Sequence, residues 1–119
     1  MSTILLVQSD ADAREVSKEW LRQAGYFVLA CASGEEALSL ANIYRRKIHA
    51  VVTDLVLPHM NGIRVVEKLR KNRPELRALI LSDGTLPPDI EGQEISFLQS
   101  PVEHPVLVEI VRNLIRSTA

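Results

Sequence analysis

The sequence lacks the features that mark disulfide-stabilised, secreted and membrane-spanning proteins. Its one cysteine, Cys31, excludes a disulfide framework and a cysteine-based zinc site. No apolar run approaches the length that crosses a bilayer, and residues 4–7 are too few for the apolar part of a signal peptide. We therefore expect an intracellular domain, most simply a cytoplasmic one, with no membrane partner.

An excess of one charge is also missing. The 14 Lys and Arg residues and the 15 Asp and Glu residues give a formal net charge of −1 at pH 7. A chain with so small a net charge has no overall field that attracts nucleic acid, so we expect no direct nucleic-acid partner. One basic group has helical spacing and is interpreted as the solvated face of a helix; it comprises Lys68, Arg70, Lys71 and Arg73.

Motifs of common enzyme and ligand-binding classes are absent as well. The three histidines, His49, His59 and His104, show no metal-ligand spacing, and the residue order suggests no Ser/His/Asp triad. Neither a G-x-G-x-x-G motif nor a glycine-rich phosphate loop follows the first apolar run. The sequence therefore favours a domain that is not an enzyme.

What the sequence does contain is a regular alternation of short apolar runs and amphipathic segments. The 119 residues, 46% of them hydrophobic, are enough for one domain over residues 1–119. Strands are predicted at residues 3–7, 26–31, 49–53, 77–81 and 95–98. Helices are predicted at residues 11–24, from a capping box at residues 33–36 through the basic residues 45–47, at 63–72 and at 106–115. Two glycines and two prolines in residues 83–94 predict a loop or at most one helical turn.

This order of elements predicts an α/β fold, a doubly wound five-stranded parallel sheet with helices on both faces. Either Asp10 or Asp12 can cap the first helix, whose inward face is predicted to hold Val16, Trp20, Leu21 and Ala24. Functional groups in such sheets gather at the carboxyl ends of the strands. The candidates at these ends are Gln8, Ser9, Asp10, Asp54, Val56, Ser82, Asp83, Gln99 and Ser100.

Five stretches, taken in order and at their spacing, resemble the receiver domain of bacterial response regulators. They are ILLVQSDADARE, GYFVLACASGEEAL, VVTDLVLPHMNG, ALILS and FLQSP, and they span essentially the whole chain. The resemblance implies a flavodoxin-like fold in which Asp54 is the phospho-acceptor position for a sensor histidine kinase. It also implies that Ser82 and Ser100 contact the phosphoryl group and that Ser82 and Phe97 form a conformational switch.

The sequence departs from the family pattern at positions that matter for chemistry. The family has two acids at the end of the first strand and a lysine before the proline that follows the fifth strand. Here those positions hold Gln8, Ser9 and Ser100. Because Mg²⁺ relies on carboxylate oxygens, a site made from Asp54, Asp10 and the Val56 carbonyl is expected to bind Mg²⁺ weakly, if at all. Ser100 replaces the cation that would contact the phosphate, so phosphorylation is expected to be slow or absent.

The segment between Ser82 and Ser100 is shorter than usual for the family, so the family's fourth helix is expected to be short or missing. Three hypotheses remain open. The first is a pseudo-receiver that acts by protein–protein interaction, and the second is a receiver phosphorylated at Asp54 by a histidine kinase. The third is a small-molecule-binding domain of the same fold. Expected partners are a sensor histidine kinase or another signalling protein, an output domain, or a second copy of the chain.

Overall fold

The computed structural model describes residues 1–84 and 94–116. Its strands are β1 Thr3–Val7, β2 Phe27–Cys31, β3 Ala50–Asp54, β4 Arg77–Ser82 and β5 Ser96–Gln99. Its helices are α1 Ala11–Gln23, α2 Gly34–Ile43, α3 Gly62–Asn72 and α4 His104–Arg116. Strands and helices alternate along the chain as predicted.

The five strands form one parallel sheet in the order β2-β1-β3-β4-β5. β1 lies between β2 and β3, with Leu5 opposite Leu29 on one side and Val51 on the other. The strand order reverses at β1, so the carboxyl ends of β1 and β3 flank the crevice where ligands bind in folds of this kind. The predicted doubly wound, flavodoxin-like fold is confirmed.

The sheet is covered on both faces, which explains why its strands are continuous apolar runs and not alternating ones. Successive side chains of a strand point to opposite faces. Leu5 and Val7 accordingly belong to the core under α2 and α3, and Ile4 and Leu6 belong to the core under α1 and α4. All four side chains are buried.

Local sequence signals fix where the helices begin. Asp10 caps α1, because its carboxylate accepts a hydrogen bond from the Ala13 N–H at 2.9 Å. Ser33 caps α2 by accepting from the Glu36 N–H at 3.2 Å, as the capping box predicts. After α1, Gly25 has φ of 99°, a conformation that favours glycine at the end of a helix.

The predicted continuation of α2 through residues 45–47 is wrong, because the helix ends at Ile43. The Arg73 guanidinium donates to the carbonyl oxygens of Ala41 at 3.0 Å, Tyr44 at 2.7 Å and Arg46 at 3.0 Å. A long-range arginine thus satisfies carbonyl groups that a continued helix would have bonded internally. The periodicity of α2 contains no sign of this contact.

Three further predictions were wrong in detail. Val16 is 46% exposed, and Ser17 is buried one position later in line with Leu21, so the inward face of α1 is rotated by one residue from the predicted one. The fifth strand begins at Ser96, one residue later than predicted. Asp54 is the last residue of β3 instead of the residue after it.

The predicted short or missing fourth helix of the family falls mainly on residues 85–93, which lie outside the described residues. In residues 1–84 and 94–116, no helix combines the length and hydropathy of a membrane span.

Candidate functional site

The side chains predicted to form a site gather at the carboxyl edge of the sheet. Asp54 ends β3, and an open groove of about 660 Å³ lies beside it. The polar residues that line this groove include Gln8, Asp10, Asp12, Asp54, Asp83 and Ser100. The topology therefore brings together residues that are more than 90 positions apart in the chain.

The Asp54 carboxylate is surrounded by neutral hydrogen-bond donors. The Ser9 backbone N–H donates to its Oδ2 at 3.2 Å, and the Gln8 side-chain amide also donates to it. Burial raises the pKa of Asp54 above its ordinary value and the negative charge of Asp10 adds to this, while the two hydrogen bonds act in the opposite direction. The carboxylate is thus held in place by polar groups that carry no charge.

Gln8 is fixed at the end of β1 by its backbone. Its N–H donates to the Cys31 carbonyl at 3.1 Å, and its carbonyl accepts from an Arg14 guanidinium N–H at 2.9 Å. Only 6% of Gln8 is exposed, and its buried Oε1 has no hydrogen-bond partner within residues 1–84 and 94–116. An unpaired buried oxygen costs free energy. The Gln8 side chain thus leaves its oxygen unpaired and directs its N–H group to the Asp54 carboxylate.

The Asp10 side chain is the N-cap of α1. Its carboxylate lines the groove near Asp54, but one oxygen is bonded to the Ala13 N–H as the α1 cap. The predicted capping role of Asp10 is confirmed, and its role as a metal ligand stays a prediction. A cation that recruited this oxygen would have to compete with the helix terminus for it.

Ser82 and Ser100 meet at the ends of β4 and β5. The Ser100 N–H donates to the Ser82 carbonyl at 2.8 Å, which joins the two strand ends. The Ser82 side chain is buried, and its Oγ accepts from the Gly84 N–H at 3.3 Å. The hydroxyl predicted to contact a phosphoryl group thus holds the loop after β4.

The loop between β3 and α3 is held tightly against Asp54. The Gly62 N–H donates to the Leu55 carbonyl at 2.8 Å, and a Cβ atom at position 62 would collide with the Asp54 carbonyl oxygen. Asn61 caps α3 through the Arg64 N–H at 2.9 Å. Val56, the predicted carbonyl ligand, lies in this loop with its side chain 76% exposed.

Phe97, the predicted switch aromatic, lies in β5. It is partly buried and packs against the core beneath α2 and α3. Its role as a switch stays a prediction, because a half-buried core aromatic has the same position and contacts.

The residues present do not fit the Mg²⁺ that the fold family implies. Within residues 1–84 and 94–116, no group of three His, Cys, Asp or Glu side chains is placed to hold a metal ion. Beside Asp54, the strand-end positions offer the donor groups of Gln8 and Ser9 and no carboxylate oxygens. Mg²⁺ is usually held in proteins by one or two carboxylates within an octahedral set of oxygen ligands. Asp54 is the one carboxylate at the ends of β1 and β3, and the Asp10 carboxylate nearby is engaged with the Ala13 N–H.

Sequence reasoning missed the apolar wall of the groove. Val16 and Trp20 from α1 lie there with Pro101 and Val102 from the segment before α4. The Trp20 ring also lies 5.3 Å from the His104 ring, tilted by 47°. The spacing of Val16 and Trp20 by one helical turn could have indicated a shared face, but not that the face is partly open.

Comparison with known proteins identifies the class. A family model for the response regulator receiver domain matches residues 4–94. The sensor kinase CckA of Brucella abortus (strain 2308) is 33% identical over 81 residues, which cover 68% of this chain and 9% of that protein. The transcriptional regulatory protein GlrR of Escherichia coli (strain K12) is 28% identical over 120 residues, covering 98% of this chain and 27% of that protein.

A solved structure agrees with these matches. The receiver domain of the hybrid histidine kinase CckA superposes with a TM-score of 0.83 at 27% identity, covering 96% of this chain and 99% of that domain. The chain belongs to the response regulator receiver domain family, whose members take part in two-component signalling. It spans about a tenth and about a quarter of the length of the two curated relatives.

Proposed function

We propose that residues 1–119 act as a pseudo-receiver, a signalling domain that works through protein–protein contact and not through phosphorylation of Asp54. The observation that carries this proposal is the neutral surroundings of the Asp54 carboxylate, which receives hydrogen bonds from the Ser9 backbone and the Gln8 side chain. The proposed domain is not an enzyme and operates in the cytoplasm.

The charge around Asp54 argues against efficient phosphoryl transfer. Transfer to a carboxylate concentrates negative charge on the equatorial oxygens of the phosphoryl group, and catalysis requires cations to offset it. Gln8, Ser9 and Ser100 are all neutral, and the Asp54 carboxylate that shares their edge of the sheet is half-buried. Nothing at these three positions attracts a divalent ion or replaces one.

The same residues explain how Asp54 is retained without a metal. A carboxylate that loses part of its hydration needs hydrogen-bond donors in compensation. The Ser9 N–H at 3.2 Å and the Gln8 amide supply them. We infer that Asp54 here is a structural acid at the phospho-acceptor position, which orders the ends of β1 and β3.

The relatives indicate which kinds of protein the domain contacts. One relative is a sensor kinase and another a transcriptional regulatory protein, and the matched region is a small part of each. A sensor histidine kinase or another signalling protein is therefore the proposed partner, with an attached output domain or a second copy of the chain as further partners.

A working phospho-acceptor is the second candidate, and one observation favours it. Asp10, Asp12 and Asp83 line the same groove as Asp54, so further carboxylates lie at the mouth of the site. A phosphorylated receiver would need at least one of them to leave its present position and join a metal site.

Treatment with acetyl phosphate and Mg²⁺, followed by intact mass measurement, separates the two candidates. We expect the wild-type chain to gain no phosphoryl group. The variant Gln8→Asp/Ser9→Asp/Ser100→Lys should gain one labile group, and adding Asp54→Ala to that variant should remove it. The proposal fails if the wild-type chain gains a single labile phosphoryl group that Asp54→Ala abolishes. Failure of the restored variant would contradict the assignment of the deficit to these three positions.

A further inference from the structure

A second concave site lies at the opposite edge of the sheet from Asp54. It has a volume of about 500 Å³, within the range of small-molecule sites. Its lining residues are Met1, Thr3, Phe27, Tyr44, Arg46, Lys47 and His49. We call it the amino-edge cavity. Five residues of parallel strand separate it from the Asp54 site, which is about 15 Å.

Two stacked aromatic rings form one wall of the amino-edge cavity. Phe27 begins the edge strand β2 and is 45% exposed. Its ring stacks on Tyr44 with centroids 6.1 Å apart and planes 23° apart. The Tyr44 hydroxyl is hydrogen-bonded to Thr3 Oγ1 at 3.1 Å, so the pair is held before any ligand arrives.

His49 is oriented by a hydrogen bond from Thr3, the first residue of β1. The Thr3 N–H donates to His49 Nδ1 at 2.9 Å, which leaves the proton of the neutral ring on Nε2. Burial lowers the pKa of His49, and the nearby charges of Lys47 and the amino terminus lower it further. The imidazole therefore offers a neutral N–H donor in a positively charged setting.

The charge of the cavity is of one sign. Arg46 and Lys47 line it, both are exposed, and neither forms an ion pair with a described residue. Among the described residues, no carboxylate lines the cavity. The Arg46 carbonyl accepts from Arg73, which anchors the segment that carries the two cations.

We propose that the amino-edge cavity binds a mononucleotide, with the base stacked on the exposed face of Phe27 and the phosphate between Arg46 and Lys47. Aromatic side chains bind bases of any identity through their faces, and arginine binds phosphate through a planar set of donors. The proposal goes beyond the proposed function, because the cavity lies at the other edge of the sheet and uses none of the residues around Asp54.

The composition of the cavity favours a single nucleotide over a nucleic-acid strand. Strand-binding proteins line a groove with cations that follow several successive phosphates. Here only two cations, Arg46 and Lys47, line a single open concave site. The small net charge of the chain likewise gives no extended field for a polymer.

The test uses the full chain titrated with AMP by isothermal calorimetry and by NMR of the Phe27, Tyr44 and His49 signals. Adenosine and inorganic phosphate serve as probes for each half of the ligand. We expect AMP to bind at least about tenfold more tightly than either, since stacking and phosphate contact each contribute about that factor. AMP binding should also raise the pKa of His49, because a bound dianion offsets the positive charge that lowers it.

Variants distinguish this site from general charge attraction. Phe27→Leu keeps an apolar side chain but removes the ring, and Arg46→Gln removes one cation; each should weaken AMP binding about tenfold. Arg22→Gln, an exposed arginine outside the cavity, is the matched control and should bind as the wild type does. Absence of binding at millimolar AMP, equal binding by inorganic phosphate, or equal weakening by the control would overturn the proposal. Much tighter binding of oligoadenylate than of AMP would overturn the mononucleotide assignment.

Discussion

The two edges of the sheet carry opposite chemistry. At the carboxyl edge, Asp54 lies among neutral donors with Asp10 and Asp83 nearby. At the amino edge, Arg46 and Lys47 lie beside aromatic rings with no acid lining the cavity. The carboxyl edge has an acid with neutral residues where phosphate chemistry requires a cation, and the cations of the amino edge form no ion pair with an acid in the described part of the chain.

A net charge near zero therefore does not describe the electrostatic field at either edge of the sheet. Nine of the 14 Lys and Arg residues lie between positions 45 and 77, and only three of the 15 acids do. Many of these basic residues follow α2 or end α3, where the helix dipole favours positive charge. The fold therefore separates charge along the strand direction, although the sum over the chain is −1.

The largest expected effect is at the carboxyl edge, with Gly62→Ala. The added Cβ atom would collide with the Asp54 carbonyl oxygen, which is backbone and cannot move aside. We expect a loss of about 3 kcal/mol in the free energy of unfolding, measured by urea denaturation. Gly84→Ala is the matched control, because nothing lies within 4 Å of a Cβ atom there. Equal losses in the two variants would show that the close approach of α3 does not hold the Asp54 loop.

The next largest effect on stability is expected at the amino edge, for Arg73→Ala. Three backbone carbonyls lose a charged donor, so we expect a loss of about 2 kcal/mol in the free energy of unfolding. Arg73→Lys should restore only part of it, because an ammonium cannot reproduce the planar fork. Lys71→Ala, an exposed neighbour, should change stability little. NMR shifts of the Asp54 amide should stay unchanged in Arg73→Ala, and a change there would mean that the two edges are coupled.

A smaller effect of opposite sign is expected for Asp54→Asn. Burial raises the pKa of Asp54, so above that raised pKa the ionised side chain destabilises the folded state relative to the unfolded one. The variant should be slightly more stable than the wild type near neutral pH, with a correspondingly higher Tm. The gain should shrink as the pH falls through the raised pKa and vanish below the ordinary Asp pKa of about 3.9. Thermal melts across this range test it, with the exposed Asp83→Asn as control; a destabilised Asp54→Asn at neutral pH would contradict the account of its surroundings.

The smallest effect concerns the Cys31 thiol, which is buried in the core. Its alkylation tests neither edge of the sheet directly. Burial raises the pKa of its thiol to about 11 from 9.0. The thiolate fraction at pH 8 is then about 100-fold lower than for an ordinary thiol, and so is the expected rate of alkylation by iodoacetamide. Urea should restore the ordinary rate. Rapid labelling of the folded chain would show that β2 opens readily.

Much of the fold followed from the sequence, because its signals are local. The apolar runs located all five strands, and capping residues such as Asp10 and Ser33 located the starts of α1 and α2. The end of α2 did not follow, because it depends on Arg73, more than 25 positions away. The exposure of Val16 depends equally on how α1 is rotated against the sheet, which periodicity fixes only to within a residue.

The sequence predicted which residues form the candidate site, but not which hydrogen bonds they make. Parallel strands bring Gln8, Asp54, Ser82 and Ser100 to one edge, as the strand order implied. That Gln8 donates to Asp54 and leaves its own oxygen unpaired is a property of side-chain placement. The amino-edge cavity was missed altogether, because Phe27, Tyr44 and His49 belong to three separate segments and form no motif.

The neutral residues around Asp54 are proposed not to organise a divalent ion. The most direct measurement is an NMR titration of the wild-type chain and of Gln8→Asp/Ser9→Asp with Mg²⁺, following the amide signals of positions 9 and 54. We predict no saturable shift in the wild-type chain at millimolar Mg²⁺ and a saturable shift in the variant. Saturable binding by the wild-type chain, abolished by Asp54→Asn, would contradict the claim and favour an active phospho-acceptor.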